Sequence, residues 1–309
     1  MSTLRTNRRM RQGVAVAATA ALGLTLAACS DGDDTAGDGG DGDGGGDKTI
    51  TLGYIPSWTD GLSTAYLLDH FLDEAGYTVE HEEISDAGLL YTALSRGDVD
   101  IYPSAWPEVT HAKYMDQYGD QIEDLDTYYD NAKLTFAVPE YTDIDSIDEL
   151  ADNVDMFDGK IVGIEPGAGL TDITKDAVIP DYGLDEAGYE LVESSTTAML
   201  TELEKATENQ EDILVTLWRP FWANSAYPVK DLEDPKGALG EAEGLHFLGT
   251  EGISEEYPDV ADWIGQIALD DEQYGALEDQ VVNQHPDDPA AGVDAWLEEY
   301  PDVVPALEG

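Results

Sequence analysis

Only one of the 309 residues, Cys29, is a cysteine, which excludes an internal disulfide framework and any zinc site built on cysteine pairs. Basic side chains are scarce: 14 Lys and Arg stand against 67 Asp and Glu, a formal charge of −53. A surface this acidic repels nucleic acid and anionic lipid head groups, so neither is an expected partner. It fits an exposed protein that works at high ionic strength, where screening makes self-repulsion tolerable. The histidines at 70, 81, 111, 246 and 285 form no HExxH or similar spacing, so no metal is expected. The Gly-rich segment Glu165-Pro166-Gly167-Ala168-Gly169-Leu170 has the spacing of neither a Walker A loop nor a full GxGxxG, and no cofactor is expected. Gly61-Leu62-Ser63-Thr64-Ala65 echoes a nucleophile elbow, but it lies inside a helical pattern and lacks the final glycine. With no catalytic dyad in view, an enzyme is not the expected reading.

What is present begins at the N-terminus. Residues 1–28 carry Arg5, Arg8, Arg9 and Arg11, no acidic residue, and an apolar run from Val14 to Ala28. That order is an export signal whose apolar part is too short for a stable membrane span. Arg8-Arg9 hints at twin-arginine export, although its surroundings favour the general route. The run ends in Leu26-Ala27-Ala28-Cys29, which resembles a bacterial lipobox and implies a lipid anchor on Cys29 at the outer face of the cell membrane. The alternative is a secretory signal with a chance cysteine. Residues 31–47 contain only Asp, Gly, Thr and Ala, with seven Asp and eight Gly. They have nothing to bury, and 29–47 is expected to be a disordered tether. No nonapeptide or EF-hand spacing supports a calcium site there.

From Lys48 onward, β-rich runs alternate with helical patterns, which predicts an α/β fold with largely parallel sheets. Strands are expected at 50–55, 78–84, 100–104, 133–138, 160–165, 189–193, 213–217 and 245–248. A helix over 60–74 follows possible caps at Ser57 and Thr59, and a second over 87–95 stops at Gly97. The last third, 254–299, reads as helices punctuated by Pro258, Pro286 and Pro289. The length after the signal exceeds what one core usually serves, so two lobes are expected. Lobe I is assigned 48–138 plus 245–309, and lobe II 139–244.

Three segments place a tryptophan just after an expected strand: Trp58 in Ile55-Pro56-Ser57-Trp58, Trp106 in Ser104-Ala105-Trp106, and Trp218 in Leu217-Trp218-Arg219-Pro220-Phe221-Trp222. Such strand ends open to a ligand crevice. Singly each tryptophan is an ordinary packing residue. Together they make an aromatic cage, which suits a quaternary ammonium because that group has no N–H and is attracted to ring faces. Glu165-Pro166-Gly167-Ala168-Gly169-Leu170 is a Gly-rich strand-to-helix turn, either a simple turn or a cradle of backbone N–H groups for an anion. His111 lies five residues past Trp106, at an expected helix start after Pro107.

These motifs, together with Leu232-Glu233-Asp234-Pro235-Lys236-Gly237 and Gly240-Glu241-Ala242-Glu243, resemble the glycine betaine and proline betaine binding proteins of osmoprotectant ABC importers. The resemblance covers nearly all the chain after Lys48. It implies a two-lobed periplasmic-binding-protein-like fold of type II with the ligand cleft between lobes, and an importer permease with its ATPase as partners of a monomeric receptor. It also implies that Trp58, Trp106 and Trp218 surround a trimethylammonium group. The ligand carboxylate is then held by His111 and the amides of Gly169 and Leu170. A relative often has Gly-Trp-x-Pro-His-Trp where this chain has Leu217-Trp218-Arg219-Pro220-Phe221-Trp222, so Trp222 stands as an alternative to Trp218. The alternatives in ligand are choline, carnitine and dimethylsulfoniopropionate. A secreted enzyme and an acidic calcium-binding module are the alternatives in class.

Overall fold

Ile50, Leu52 and Tyr54 bury completely along a short strand because alternate residues of a strand face the same side. In the computed structural model, which describes residues 48–307, that strand is β1 (Thr49–Tyr54). The expected export signal, Cys29 and the Asp/Gly stretch lie outside the described residues. The other strands are β2 (Thr78–Glu83), β3 (Ile101–Ala105), β4 (Ile122–Pro139), β5 (Lys160–Val162), β6 (Glu190–Val192), β7 (Val215–Arg219), β8 (Val229–Asp231) and β9 (Glu243–Thr250). They line up as β2-β1-β3-β9-β4-β7-β5-β6, with β8 also on β4.

The sheet is mixed, and here it departs from the largely parallel arrangement expected. β1 runs parallel to β2 and β3, and β5 parallel to β6 and β7. The pairings β3–β9, β4–β9, β4–β7 and β4–β8 are antiparallel. The physical reason is β4. Residues 122–132 pair with β9 and residues 133–139 with β7 and β8, so one strand joins the two halves of the sheet. Only its second part was expected. The first part carries Glu123, Asp124, Asp126 and Asp130, poor strand formers, and a register shift between Asp124 and Asp126, where Asp126 takes φ 143°. Pairing with the buried strand β9 overrides that local preference.

Helix α1 (Thr59–Glu74) buries Leu67, Leu68, Phe71 and Leu72 at helical spacing. Neither expected cap caps it. Trp58 stands at the N-cap without a side-chain bond, because the Ser57 hydroxyl donates to Glu165 and the Thr59 hydroxyl to Glu278. Helix α2 (Ala87–Arg96) is capped by Asp86, which was not anticipated from the sequence, and ends as expected on Gly97 at φ 71°. It packs so closely on β1 that a Cβ at Gly53 would lie 2.7 Å from Val99 and 2.9 Å from Leu90. In the last third, Pro258 and Pro289 open the helices Pro258–Ile264 and Pro289–Glu299. No helix among the described residues is long and apolar enough to cross a membrane.

Glu278 ends the helix Asp271–Glu278 with its carboxyl wholly buried against the start of α1, 2.7 Å from the Thr59 hydroxyl. Burial pushes it up to about 8. The unfolded chain releases this proton near the ordinary glutamate value while the fold retains it. Stability from this group is therefore full in acid and falls as pH rises toward about 8. Urea unfolding is expected to show Glu278→Gln gaining on the parent by ~3 kcal/mol between about pH 5 and pH 8. A constant difference across that range would show that Glu278 ionises normally.

Candidate functional site

The β1–α1 loop, the segment after β3, the turn before α4 (Gly169–Ile173) and the end of β7 converge on one cavity of about 340 Å³. All six residues singled out in the sequence, Trp58, Trp106, Trp218, His111, Gly169 and Leu170, line it. Trp222 does not; it lines a different depression with Arg219 and Glu278. Trp218 sits inside β7 rather than after it, paired with Leu134, which also faces the cavity.

Each tryptophan is fixed by a neighbour. The Trp106 indole N–H donates to Asp60 at 3.0 Å, and the Trp58 indole N–H to Glu165 at 3.3 Å. Trp218 stacks on Phe221 at 4.1 Å between centroids, and Trp58 lies parallel to the His111 ring at 5.9 Å.

Asp60 was not anticipated. It is the one carboxylate in the cavity wall, 3% exposed, and accepts from Trp106 and from the Ser104 hydroxyl at 2.9 Å. Tyr128 donates to that hydroxyl from behind. Burial raises Asp60 above the usual carboxylate range, against the Trp106 and Ser104 hydrogen bonds that lower it. A cation in the cavity favours its ionised form.

His111 is the opposite case. Burial, with a smaller contribution from the Lys113 charge, lowers it to about 3, so the ring is neutral. Its Nδ1 lies 3.2 Å from the Trp106 backbone N–H and 3.1 Å from the Tyr91 hydroxyl. A backbone N–H can only donate, so this network assigns Nδ1 as acceptor and places the proton on Nε2. Nε2–H is then the ring donor left for the cavity. His111 stands just before α3 (Ala112–Tyr118), so the helix begins later than Pro107 implied. Residues 108–110 instead turn their backbone N–H groups onto the buried Glu243 carboxylate, which also accepts from the Thr110 hydroxyl.

Gly169 and Leu170 are the first residues of α4, and Ala168 at its N-cap supplies no side-chain cap. Their N–H groups have no intrahelical acceptor. A Cβ at Gly169 would fall 2.0 Å from the Thr110 carbonyl oxygen, so glycine is required where the two segments touch. Tyr114 donates to the Gly167 carbonyl at 2.8 Å, and Lys113 pairs with Asp172 across the same seam. Of these contributors, Ser104, Glu165, Ala168, Phe221, Glu243 and the glycines lay within motifs noted in the sequence, whereas Asp60, Tyr91, Tyr114 and Tyr128 did not. No group of His, Cys, Asp or Glu among the described residues is arranged to hold a metal ion.

The tautomer has a direct check. Nitrogen-15 shifts of the His111 ring are expected to report a neutral Nε2–H imidazole unchanged from about pH 5 to pH 8. A protonated ring at pH 5, or an Nδ1–H tautomer, would contradict this assignment.

The model of the substrate-binding domain of ABC-type glycine betaine transport systems matches residues 48–299. The glycine betaine/carnitine transport binding protein GbuC of Listeria monocytogenes is 33% identical over 144 residues, 47% of this chain and 47% of that protein, so the match spans about half of each. Among solved structures, the glycine betaine/L-proline binding protein ProX of Borrelia burgdorferi has a TM-score of 0.77 at 29% identity, covering 84% of this chain and 96% of that one. Lactococcal OpuAC, in its closed conformation with glycine betaine, has a TM-score of 0.76 at 27% identity, covering 84% and 98%. The fold is that of these two-lobed binding proteins, and the chain belongs to the family of substrate-binding domains of ABC-type glycine betaine transport systems.

Proposed function

We propose that this chain is an extracytoplasmic receptor that captures glycine betaine or proline betaine and presents it to an ABC permease and its ATPase for osmoprotection. The observation that carries the reading is a single cavity with ring faces and a carboxylate for a cation, and a neutral N–H donor with two free amides for an anion. Trp58, Trp106 and Trp218 meet the trimethylammonium group, with Asp60 as its counter-charge. His111 Nε2–H and the amides of Gly169 and Leu170 receive the carboxylate. Residues 48–138 plus 245–309 form one lobe and residues 139–244 the other, so the ligand is fully contacted only on closure, the signal the permease reads. The receptor acts as a monomer.

Asp60 favours a second reading. A buried carboxylate suits a ligand of net positive charge, and choline is one. One calorimetric panel decides between them. In the preferred reading Trp58→Ala, Trp106→Ala and Trp218→Ala each weaken glycine betaine, and Asp60→Asn weakens both ligands. His111→Ala costs glycine betaine roughly tenfold to a hundredfold and choline much less. Equal parental affinities with equal losses in His111→Ala would select choline, and unchanged binding in all three tryptophan variants would overturn the cage.

The receptor is held to the membrane by acylation of Cys29, with 29–47 as tether. Mass spectrometry of the mature N-terminus is expected to find a diacylated Cys29 in the membrane fraction. Unmodified protein recovered wholly in the medium would refute the anchor.

A further inference from the structure

Glu165 touches both sides of the cleft. It leaves the end of β5 half-buried, and its carboxylate accepts four hydrogen bonds. Two come from its own half of the sheet: the Thr196 backbone N–H to Oε1 and the Thr196 hydroxyl to Oε2, each at 2.9 Å. Thr196 opens the helix Thr196–Asn209, so this anchor has the favourable end of a helix dipole behind it. The other two come from the β1–α1 loop more than a hundred residues away: the Ser57 hydroxyl to Oε1 at 3.1 Å and the Trp58 indole N–H to Oε2 at 3.3 Å. Each oxygen thus has one partner at home and one across the cleft.

This pattern leaves Glu165 no free acceptor for a ligand. It also uses the only polar atom of the Trp58 side chain, whose ring faces the cavity. We propose that Glu165 is a positioning residue that latches the cleft shut and, by the same carboxylate, sets the Trp58 ring as a wall of the cavity. The inference rests on the function proposed above for what fills the cavity, but not for the latch itself. The home bonds hold the carboxylate ready before closure, so closing has little side-chain entropy left to remove from Glu165. When the cleft opens, Trp58 loses its acceptor and its orientation together. The bonds are thereby coupled to dissociation more than to encounter, since interactions formed only in the closed state act on the off-rate.

The test uses the full mature chain and has two arms. In the first, stopped-flow tryptophan fluorescence measures glycine betaine binding to the parent, Glu165→Ala, Trp58→Phe and the double variant. Phenylalanine keeps a ring face and removes the N–H. Glu165→Ala is expected to speed dissociation roughly tenfold or more with association changed less than about threefold. That loss is expected to shrink to about threefold or less in the Trp58→Phe background, a non-additivity that a merely structural role would not produce. Parental dissociation in Glu165→Ala, or full additivity, overturns the orienting role. In the second arm, spin labels on the exposed Leu89 and Glu202 positions report the cleft without ligand. Glu165→Ala is expected to lower the closed population, and an unchanged distance distribution overturns the latch. Glu165→Gln, with an unchanged unfolding midpoint as control, replaces the alanine variant if that one fails to fold. A parent that binds none of the betaines or choline refutes the proposed function while the second arm still judges Glu165.

Discussion

The constraint on which the rest depends is that buried carboxylates here have almost no cations to pair with. With so few lysines and arginines, the acids at the cleft are satisfied by neutral donors instead. Asp60 takes an indole and a hydroxyl, Glu165 an indole, two hydroxyls and an amide, and Glu243 three consecutive amides and a hydroxyl. Glu278, next to Asp60, takes the Thr59 hydroxyl and holds its proton to about pH 8. Each carboxylate therefore organises backbone and aromatic rings in a way that a partner lysine would pre-empt. Glu243 shapes the loop from Trp106 to His111, Asp60 turns Trp106, and Glu165 turns Trp58. Hydrogen bonds to a charged acceptor are the stronger kind, and within a partly dry cleft they specify geometry as well as stability.

Those same bonds leave negative charge unneutralised around an apolar, aromatic cavity. Asp60 puts an acid in the wall itself, raised by burial and favoured in its ionised form by a bound cation, and the surrounding surface supplies more of one sign. Field from exposed acids is screened within about a Debye length in salt, whereas the contribution of a buried group is screened far less. In salt the surface acids therefore act little at the cavity, and Asp60 is the acid that a bound cation would meet. The segments meet at Gly169 on Thr110, Tyr114 on Gly167 and Lys113 on Asp172. A glycine with no room for a Cβ marks where the approach is tightest.

Much of this was legible in the sequence, and the part that was not has a physical cause. Tryptophan is rare and stands at strand ends, so Trp58, Trp106 and Trp218 draw notice, and the Gly-rich turn and His111 carry a recognisable spacing. All six meet in one cavity. Asp60 sits two residues from Trp58 and passes for an ordinary acid in a first helical turn. Among 67 acidic residues, nothing local tells which ones the fold will bury. Glu165 was visible as a motif member but not as a contact, because its partners are Ser57, Trp58 and Thr196, far off in sequence. The first part of β4 was hidden for a related reason: Glu123, Asp124, Asp126 and Asp130 are poor strand formers, and only the pairing with β9 makes it a strand.

In the proposed reading, the like charges of Asp60 and a ligand carboxylate bear on what the cavity can select. Three cation–π contacts at about 2 kcal/mol each give roughly 6 kcal/mol, short of the about 8 kcal/mol that micromolar affinity needs. A pure cation gains from Asp60 but leaves His111 Nε2–H and the amides of Gly169 and Leu170 without acceptors. A buried donor left unpaired costs about 1–3 kcal/mol, and three of them offset much of the aromatic gain. In the proposed pose a zwitterion meets all three donors with its carboxylate and keeps its ammonium between that carboxylate and Asp60. The repulsion between the two acids then has a cation of the ligand's own interposed, while the neutral state of His111 spares the ring the larger cost of a buried charge. Selection in such a cavity turns on how many donors a ligand satisfies rather than on its net charge.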